Sequence, residues 1–339
     1  MKKTVLVTGG AGFIAHMVIE TILDKTDWNV VTIDRLDFSG NLHRLHEVVA
    51  ERPQHKSRVK FVFHDMKSEF NEQISNAIGN VNYILHIGAA SHVDRSIENP
   101  MAFVLDNVVG TCNVLNFART CSNLERFIYF STDEVFGPAP EGVEYDERAR
   151  YNSTNPYSAS KAGGEELAVS YHNTYKLPVY VCHTVNVYGH RQHPEKYIPK
   201  CIKHILNDTE ILVHADPVTN KPGSRHYVHV KDVADALLFI LDLPQNVFEN
   251  DYGGAKCPKF NIIGYTELDN LEIAQVVAKC MGKELKYKLV DFNTVRPGLD
   301  LRYSLSGDLL KKLGWSPQMS FEERIQELVD WTLEHRHWL

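Results

Sequence analysis

A β-branched, apolar run at 4–8 ends in Gly9-Gly10-Ala11-Gly12 and passes at once into the helical spacing of 13–24. Few local patterns restrict a fold more. The glycines allow a tight turn, and backbone N–H groups can then approach a pyrophosphate at the positive end of the helix. Gly9 and Gly12 make the turn, and Phe13 and Ile14 contribute the first helical amides. A second β-rich run, 29–34, closes on Asp34, 22 residues after Gly12. An acid in that position accepts hydrogen bonds from an adenosine ribose and repels an extra phosphate. That favours NAD over NADP, although the neighbouring Arg35 could pair with such a phosphate. Asp65 ends a third run and is placed to reach the adenine.

The alternation continues, with strands expected at about 59–64, 82–87, 127–131 and 178–184 and helices at 13–24, 101–121 and 157–175. Pro100 suits the start of the second of these helices. Six such strands predict an α/β, Rossmann doubly wound parallel sheet, whose ligand crevice lies at the carboxyl ends of the strands. After residue 190 the pattern weakens. The Asp-, Asn-, Pro- and Gly-rich stretch 214–224 predicts a loop, and helical segments follow near 232–243, 270–281 and 320–336. This second part is expected to be a smaller, interleaved C-terminal substrate-binding cap. The NAD-binding domain is then 1–190, with 227–250 returning to it, and 191–339 forms mainly the cap.

The chain has 339 residues, 43% hydrophobic and 23% charged, which excludes a disordered or collagenous protein. A net charge of −7 argues against nucleic acid as the main partner. The six cysteines, Cys112, Cys121, Cys182, Cys201, Cys257 and Cys280, are far apart with no C-x-x-C pair. Reduced thiols in a cytoplasmic protein are expected. The N-terminal apolar run is too short for a signal peptide, and Asp235 and Asp242 interrupt the apolar run at 233–243, so no membrane segment is expected. His190/His193 and His226/His229 have ligand-like spacing, but neither pair falls on one helix face or finds a completing set, so no metal is expected.

Two further motifs carry chemistry. Tyr157-Ser158-Ala159-Ser160-Lys161 puts Tyr157 and Lys161 four apart on a helical face, where the ammonium and a nicotinamide charge should lower the phenol pKa. Ser131-Thr132-Asp133-Glu134 sits at a strand end, offering a hydroxyl followed by two carboxylates. With the G-x-x-G-x-x-A turn, these segments resemble an extended short-chain dehydrogenase/reductase, and the Asp-Glu pair resembles the nucleotide-diphosphoglucose 4,6-dehydratases within it. Removing water takes a base for a carbon-bound proton and an acid for the departing hydroxyl. Segments 89–96, 186–189, 194–199 and 296–303 also look like the dehydratases.

The resemblance implies a tightly bound NAD, a nucleotide-diphosphate sugar as substrate and a homodimer through the helices near 101–121 and 157–175. It adds Leu36, Asp37, Met66, Ala89 and Ser131 to the cofactor contacts. It assigns Ser91 and Thr132 to the hexose, and Asn186, Lys196, Tyr197, Arg225, Asn270 and Arg296 to the rest of the substrate, chiefly its diphosphate. The chain departs from bacterial dTDP-glucose enzymes at Ala15, Ala90 and Leu299, where those usually have Gly, Glu and His. Segments 12–15, 36–42 and 186–189 look more like eukaryotic dehydratases of the UDP-rhamnose type, which tilts the expected substrate toward UDP-glucose.

The implied reaction has Tyr157, with Lys161, take the C4 hydroxyl proton as hydride leaves C4. Glu134 removes the C5 proton, Asp133 protonates the leaving C6 hydroxyl, Thr132 holds the C4 oxygen, and hydride returns to C6. A UDP-sugar 4-epimerase or UDP-glucuronate decarboxylase would share the first step, but Asp133 counts against both. A non-catalytic NAD-binding sensor or scaffold would not need Thr132, Tyr157 and Lys161 together.

Overall fold

A computed structural model describes residues 2–244, 256–291 and 302–339. Six strands follow the sequence expectation closely: β1 (Thr4–Thr8), β2 (Asn29–Asp34), β3 (Val59–Phe63), β4 (Tyr83–His86), β5 (Arg126–Phe130) and β6 (Val179–Thr184). They form one parallel sheet in the order β6-β5-β4-β1-β2-β3. A seventh parallel strand, Lys259–Ile262, extends this sheet beyond β6. These residues fall in the stretch 191–339 expected to form mainly the cap. Four residues, KFNI, give too short a signal for periodicity to identify, and only the pairing with β6 defines it.

Alternate side chains of each strand enter different cores, as the period of a strand requires. Val5 and Val7 pack with the helices Phe13–Lys25 and Val230–Asp242 on one face, whereas Leu6 faces the helices Gly110–Ala118 and Pro156–Tyr175 on the other. The chain thus returns to the Rossmann unit twice after residue 190, once as the helix at 230–242 and once as the strand at 259–262. A third core joins the helices Tyr197–Leu206, Asn270–Cys280 and Phe321–Glu334 through Ile198, Ile202, Ile273, Val277, Ile325 and Leu328. Over it lie short strands, including Ser224–His229, which pairs with Asn186–Tyr188, Glu267–Asp269 and Arg302–Tyr303.

The stretch 100–118 is long and apolar enough, by length and composition, to cross a membrane. Phe103, Val114, Leu115 and Phe117 in it are buried in the protein, while Met101, Val104, Leu105 and Val109 lie along its outer side, 37–63% exposed. A single π-helical turn, Leu105–Val109, interrupts it. That turn directs Asn107 inward, where its Oδ1 accepts from the Ala90 amide (2.9 Å) and its Nδ2 donates to the Ala90 carbonyl (3.0 Å) and to Ser160 Oγ (2.9 Å).

Candidate active site

The glycine turn is held as the sequence requires. Gly9 has φ +72°, and a Cβ there would come within 2.6 Å of Gly88 Cα. The Gly12 amide donates to the Gly9 carbonyl (2.8 Å), and a Cβ on Gly12 would lie 2.8 Å from that oxygen. Gly12 is also the N-cap of the helix Phe13–Lys25 and has no side chain to satisfy its first amides. This is a cradle that an anion fits and a larger residue would fill.

Asp34 ends β2 with both oxygens engaged, Oδ2 by the Ala11 amide (3.0 Å) and Oδ1 by the Leu36 amide (2.8 Å). Burial pushes its pKa up, opposed by those two hydrogen bonds. Arg35 is gripped by Asp106 (2.5 and 2.8 Å) and Asp37 (2.5 and 2.7 Å), with Asp65 3.4 Å away. A guanidinium so occupied is not open to a 2′-phosphate, so these residues fit NAD. Leu36 does not line the cavity. Its φ of +58° closes the turn that presents its amide to Asp34.

The turn opens into a cavity of about 520 Å³ that runs along the carboxyl ends of the strands into the cap. Gly9, Gly12, Phe13, Ile14 and Asp34 line one end, with Asp37, Asp65, Met66 and Ala89 beside them. At the cap end it is lined by Ser91, Asn186, Lys196, Tyr197, Arg225 and Asn270. Tyr197 donates to the Asn270 carbonyl (2.6 Å), and the Arg225 guanidinium lies 4.6 Å from the centre of the Tyr303 ring. Arg296, assigned to this end by resemblance, lies outside the described residues, as does Leu299.

Between the two ends stand Thr132, Asp133, Glu134, Tyr157 and Lys161. Thr132 caps the short 3₁₀ turn Asp133–Phe136, which turns the backbone so that successive side chains enter the crevice. Its hydroxyl donates to Asp133 Oδ1 (3.1 Å). Burial, then the Glu134 charge, raises the Asp133 pKa to about 7, with Arg225 opposing. Asn155 N-caps the helix Pro156–Tyr175 in a capping box with Ser158, and its Nδ2 donates to Glu134 Oε2 (3.0 Å). One side chain therefore starts the helix that carries Tyr157 and holds Glu134 as well.

Lys161 Nζ donates to the Phe130 carbonyl (2.7 Å), and burial lowers its pKa to about 7, opposed by Glu165. The Tyr157 phenol departs from expectation. Burial and then the Glu134 charge hold it well above its ordinary pKa, and hydrogen bonding to Thr132 only partly offsets them. The local chain supplies acids around the phenol, and the nicotinamide charge that would favour the phenolate belongs to the cofactor.

Sequence reasoning missed two supports. Asn107 fixes the loop that carries Ala89 and Ser91, and the only hint was a polar residue within an apolar helix. Fully buried Glu165 accepts from Ser131 Oγ (2.7 Å), Tyr151 (2.5 Å) and Lys259 (2.8 Å), and lies 3.0 Å from His183 Nε2. Ser131 thus lines the cavity while its hydroxyl proton is committed to Glu165. Glu165 follows Lys161 by four residues on one helical face, a spacing that could have indicated it. Among the described residues no group of three or more His, Cys, Asp or Glu side chains forms a metal site.

A doubly wound sheet, a dinucleotide cradle and a Tyr/Lys pair beside two carboxylates define a class: Rossmann enzymes of the extended short-chain dehydrogenase/reductase type. Within it, this chain belongs to the GDP-mannose 4,6 dehydratase family, whose pattern matches residues 6–328. It is 36% identical over 331 residues to the low-salt glycan biosynthesis protein Agl12 of Haloferax volcanii, covering 97% of this chain and 98% of that one. It is 33% identical to a trifunctional UDP-glucose 4,6-dehydratase/epimerase/reductase of Arabidopsis thaliana, covering 99% of this chain and 48% of that larger protein. Among solved structures, DesIV of Streptomyces venezuelae, a dTDP-glucose 4,6-dehydratase crystallised with NAD, superposes with a TM-score of 0.84. It is 32% identical, covering 99% of this chain and 98% of that one.

Proposed function

We propose that the protein is an NAD-dependent 4,6-dehydratase of a nucleotide-diphosphoglucose, yielding the 4-keto-6-deoxy sugar. The observation that carries this reading is the Asp133–Glu134 pair beside Tyr157. Asp133, with its pKa raised to about 7, keeps a proton to give near neutral pH, while Glu134 is held by Asn155. An acid and a base at adjacent positions are what loss of water across a C–C bond demands.

NAD, when bound in the cradle, supplies the hydride acceptor for C4 and the donor for C6. Tyr157 takes the C4 hydroxyl proton, Lys161, with its pKa lowered to about 7, stands at that end of the site as a group that exchanges a proton near neutral pH, and Thr132 steadies the C4 oxygen. Glu134 removes the C5 proton, which the neighbouring 4-keto group acidifies, and Asp133 protonates the departing C6 hydroxyl. The Rossmann part, 1–190 with the returning helix of the 227–250 stretch and the added strand Lys259–Ile262, carries the cofactor, and the rest of 191–339 mainly the sugar nucleotide; residues 245–250 lie outside the described residues. Asn186, Lys196, Tyr197, Arg225 and Asn270 line the end assigned to the nucleotide diphosphate, with Ser91 and Thr132 toward the hexose.

UDP-glucose is the favoured substrate, supported by the eukaryote-like segments 12–15 and 186–189. Incubation with UDP-glucose and with dTDP-glucose, followed by mass, tests the reading: the product should be lighter by one water. Conversion of neither sugar would overturn the function, and a kcat/KM ratio favouring dTDP-glucose would overturn the base preference alone. A homodimer is supported by the apolar row Met101, Val104, Leu105 and Val109 on one exposed face.

A further inference from the structure

Arg44, in the helix Leu42–Ala50, is only 2% exposed. Its Nε donates to the Arg191 carbonyl (2.9 Å), and its Nη1 to the carbonyls of Ala11 (3.0 Å) and Ser39 (2.8 Å). The Trp338 ring lies against its guanidinium, 5.4 Å from centre to Cζ. Among the described residues, every hydrogen-bond acceptor it uses is thus a neutral carbonyl. Of the other buried arginines, Arg191 pairs with Glu20, Glu47 and Glu51 and Arg324 with Asp232, whereas Arg126 also donates to carbonyls, those of Ile240, Leu241 and Leu243, but does not line the cavity.

The carboxylate whose charge it feels most is Asp34, and both Asp34 oxygens already accept backbone amides. Arg191 acts on Arg44 with the opposite sign, and Arg44 in turn lowers the pKa of buried His16 and of His193. Arg191 is itself paired with Glu20, Glu47 and Glu51, whereas Arg44 makes no ion pair among the described residues, and burying a charge without its own counter-ion is costly. Arg44 nevertheless lines the cavity where the glycine turn presents its free amides.

We propose that Arg44 supplies the counter-charge for the pyrophosphate of the bound dinucleotide and sets how slowly that cofactor leaves. The inference rests on the NAD reading above. Arginine suits the task where lysine would not. Its fork ties the Ala11 turn to the Arg191 carbonyl and to Ser39, and one guanidinium edge is left to meet phosphate oxygens. Through Arg191, the cofactor turn is joined to the segment that leads to Lys196 at the substrate end.

The test is the release rate of NAD from the purified holoenzyme, followed at increasing KCl, in wild type, Arg44→Gln and Arg44→Lys. If Arg44 is the counter-charge, Arg44→Gln, which keeps a donor but no charge, releases NAD about tenfold faster or more, and its release is nearly independent of salt. Arg44→Lys keeps the wild-type salt dependence even where its release is faster. A merely structural role would accelerate release in both variants and leave the salt dependence of both at the wild-type slope. That result, or release from Arg44→Gln at the wild-type rate, overturns the proposal. Should Arg44→Gln not fold, a flattened salt dependence in Arg44→Lys overturns it. Wild-type protein that carries and binds no NAD would overturn the cofactor reading and this proposal with it.

Discussion

At the scale of single residues, Tyr157 and Asp133 are among the ionisable groups of the crevice held away from their solution behaviour, and each gives a measurable consequence. Tyr157 is packed 6.4 Å from the Phe103 ring, so Tyr157→Phe should keep its place in the core. Turnover should fall by roughly 10²-fold or more, with the bound NAD unchanged by mass and absorbance. Asp133 has a folded pKa of about 7, above the value near 3.9 of an unfolded chain. Between those pH values the folded protein keeps a proton that the unfolded chain has lost. Asp133 thus favours folding most below about pH 4, and its contribution is lost as pH rises through about 7. Asp133→Asn removes that loss, so at pH 8 the variant should melt a few degrees above wild type, with little difference at pH 4. It should also eliminate no water, since the acid is gone. Equal melting at both pH values would contradict the burial of this carboxyl.

At the scale of elements, the start of the helix Pro156–Tyr175 matters most, because Asn155 serves both its fold and its chemistry. Asn155→Ala removes the cap, for about 1 kcal/mol of stability, and frees Glu134. Urea unfolding should give the first and kcat the second, and a full loss of the cap with unchanged kcat would sever Asn155 from the base. The helical stretch 100–118 presents its apolar row to the outside. A carboxylate there, as in Val104→Glu or Leu105→Glu, should convert a dimer to a monomer in sedimentation without disturbing the buried Phe103 and Leu115. Elements also mark where sequence patterns stop being informative. Strands β1, β2, β4, β5 and β6 were legible because burial on both faces makes near-continuous apolar runs, and the edge strand β3, largely unburied, was legible from its Val- and Phe-rich run. The strand Lys259–Ile262 was not, since its identity comes from docking on β6 and from Lys259 reaching Glu165.

At the scale of the whole molecule, the cavity joins a cofactor cradle to a cap, so the reaction should be self-contained. Deuterium at C4 of the substrate should appear at C6 of the product, and in heavy water one solvent deuteron should enter at C5. Glu134→Gln should stop after oxidation and accumulate the absorbance of reduced nicotinamide. Loss of the C4 label to solvent would overturn this course, as would near wild-type water loss by the variant.

The sequence by itself determined the glycine turn, the acid at the end of β2, the Tyr157/Lys161 spacing and the adjacent carboxylates. Each is local, set by steric freedom, helix period or strand ends within a few residues. Tertiary structure alone decided what those groups experience. The phenol of Tyr157 is raised rather than lowered because burial and Glu134 surround it. Arg35 is occupied by Asp106, 71 residues away. Glu165, Asn107 and Arg44 act through partners distant in the chain, and no pattern along it reports which carbonyl or hydroxyl will fold against them. Desolvation and charge pairing depend on what packs around a group in three dimensions, so spacing can nominate a residue while only the packed structure sets its charge.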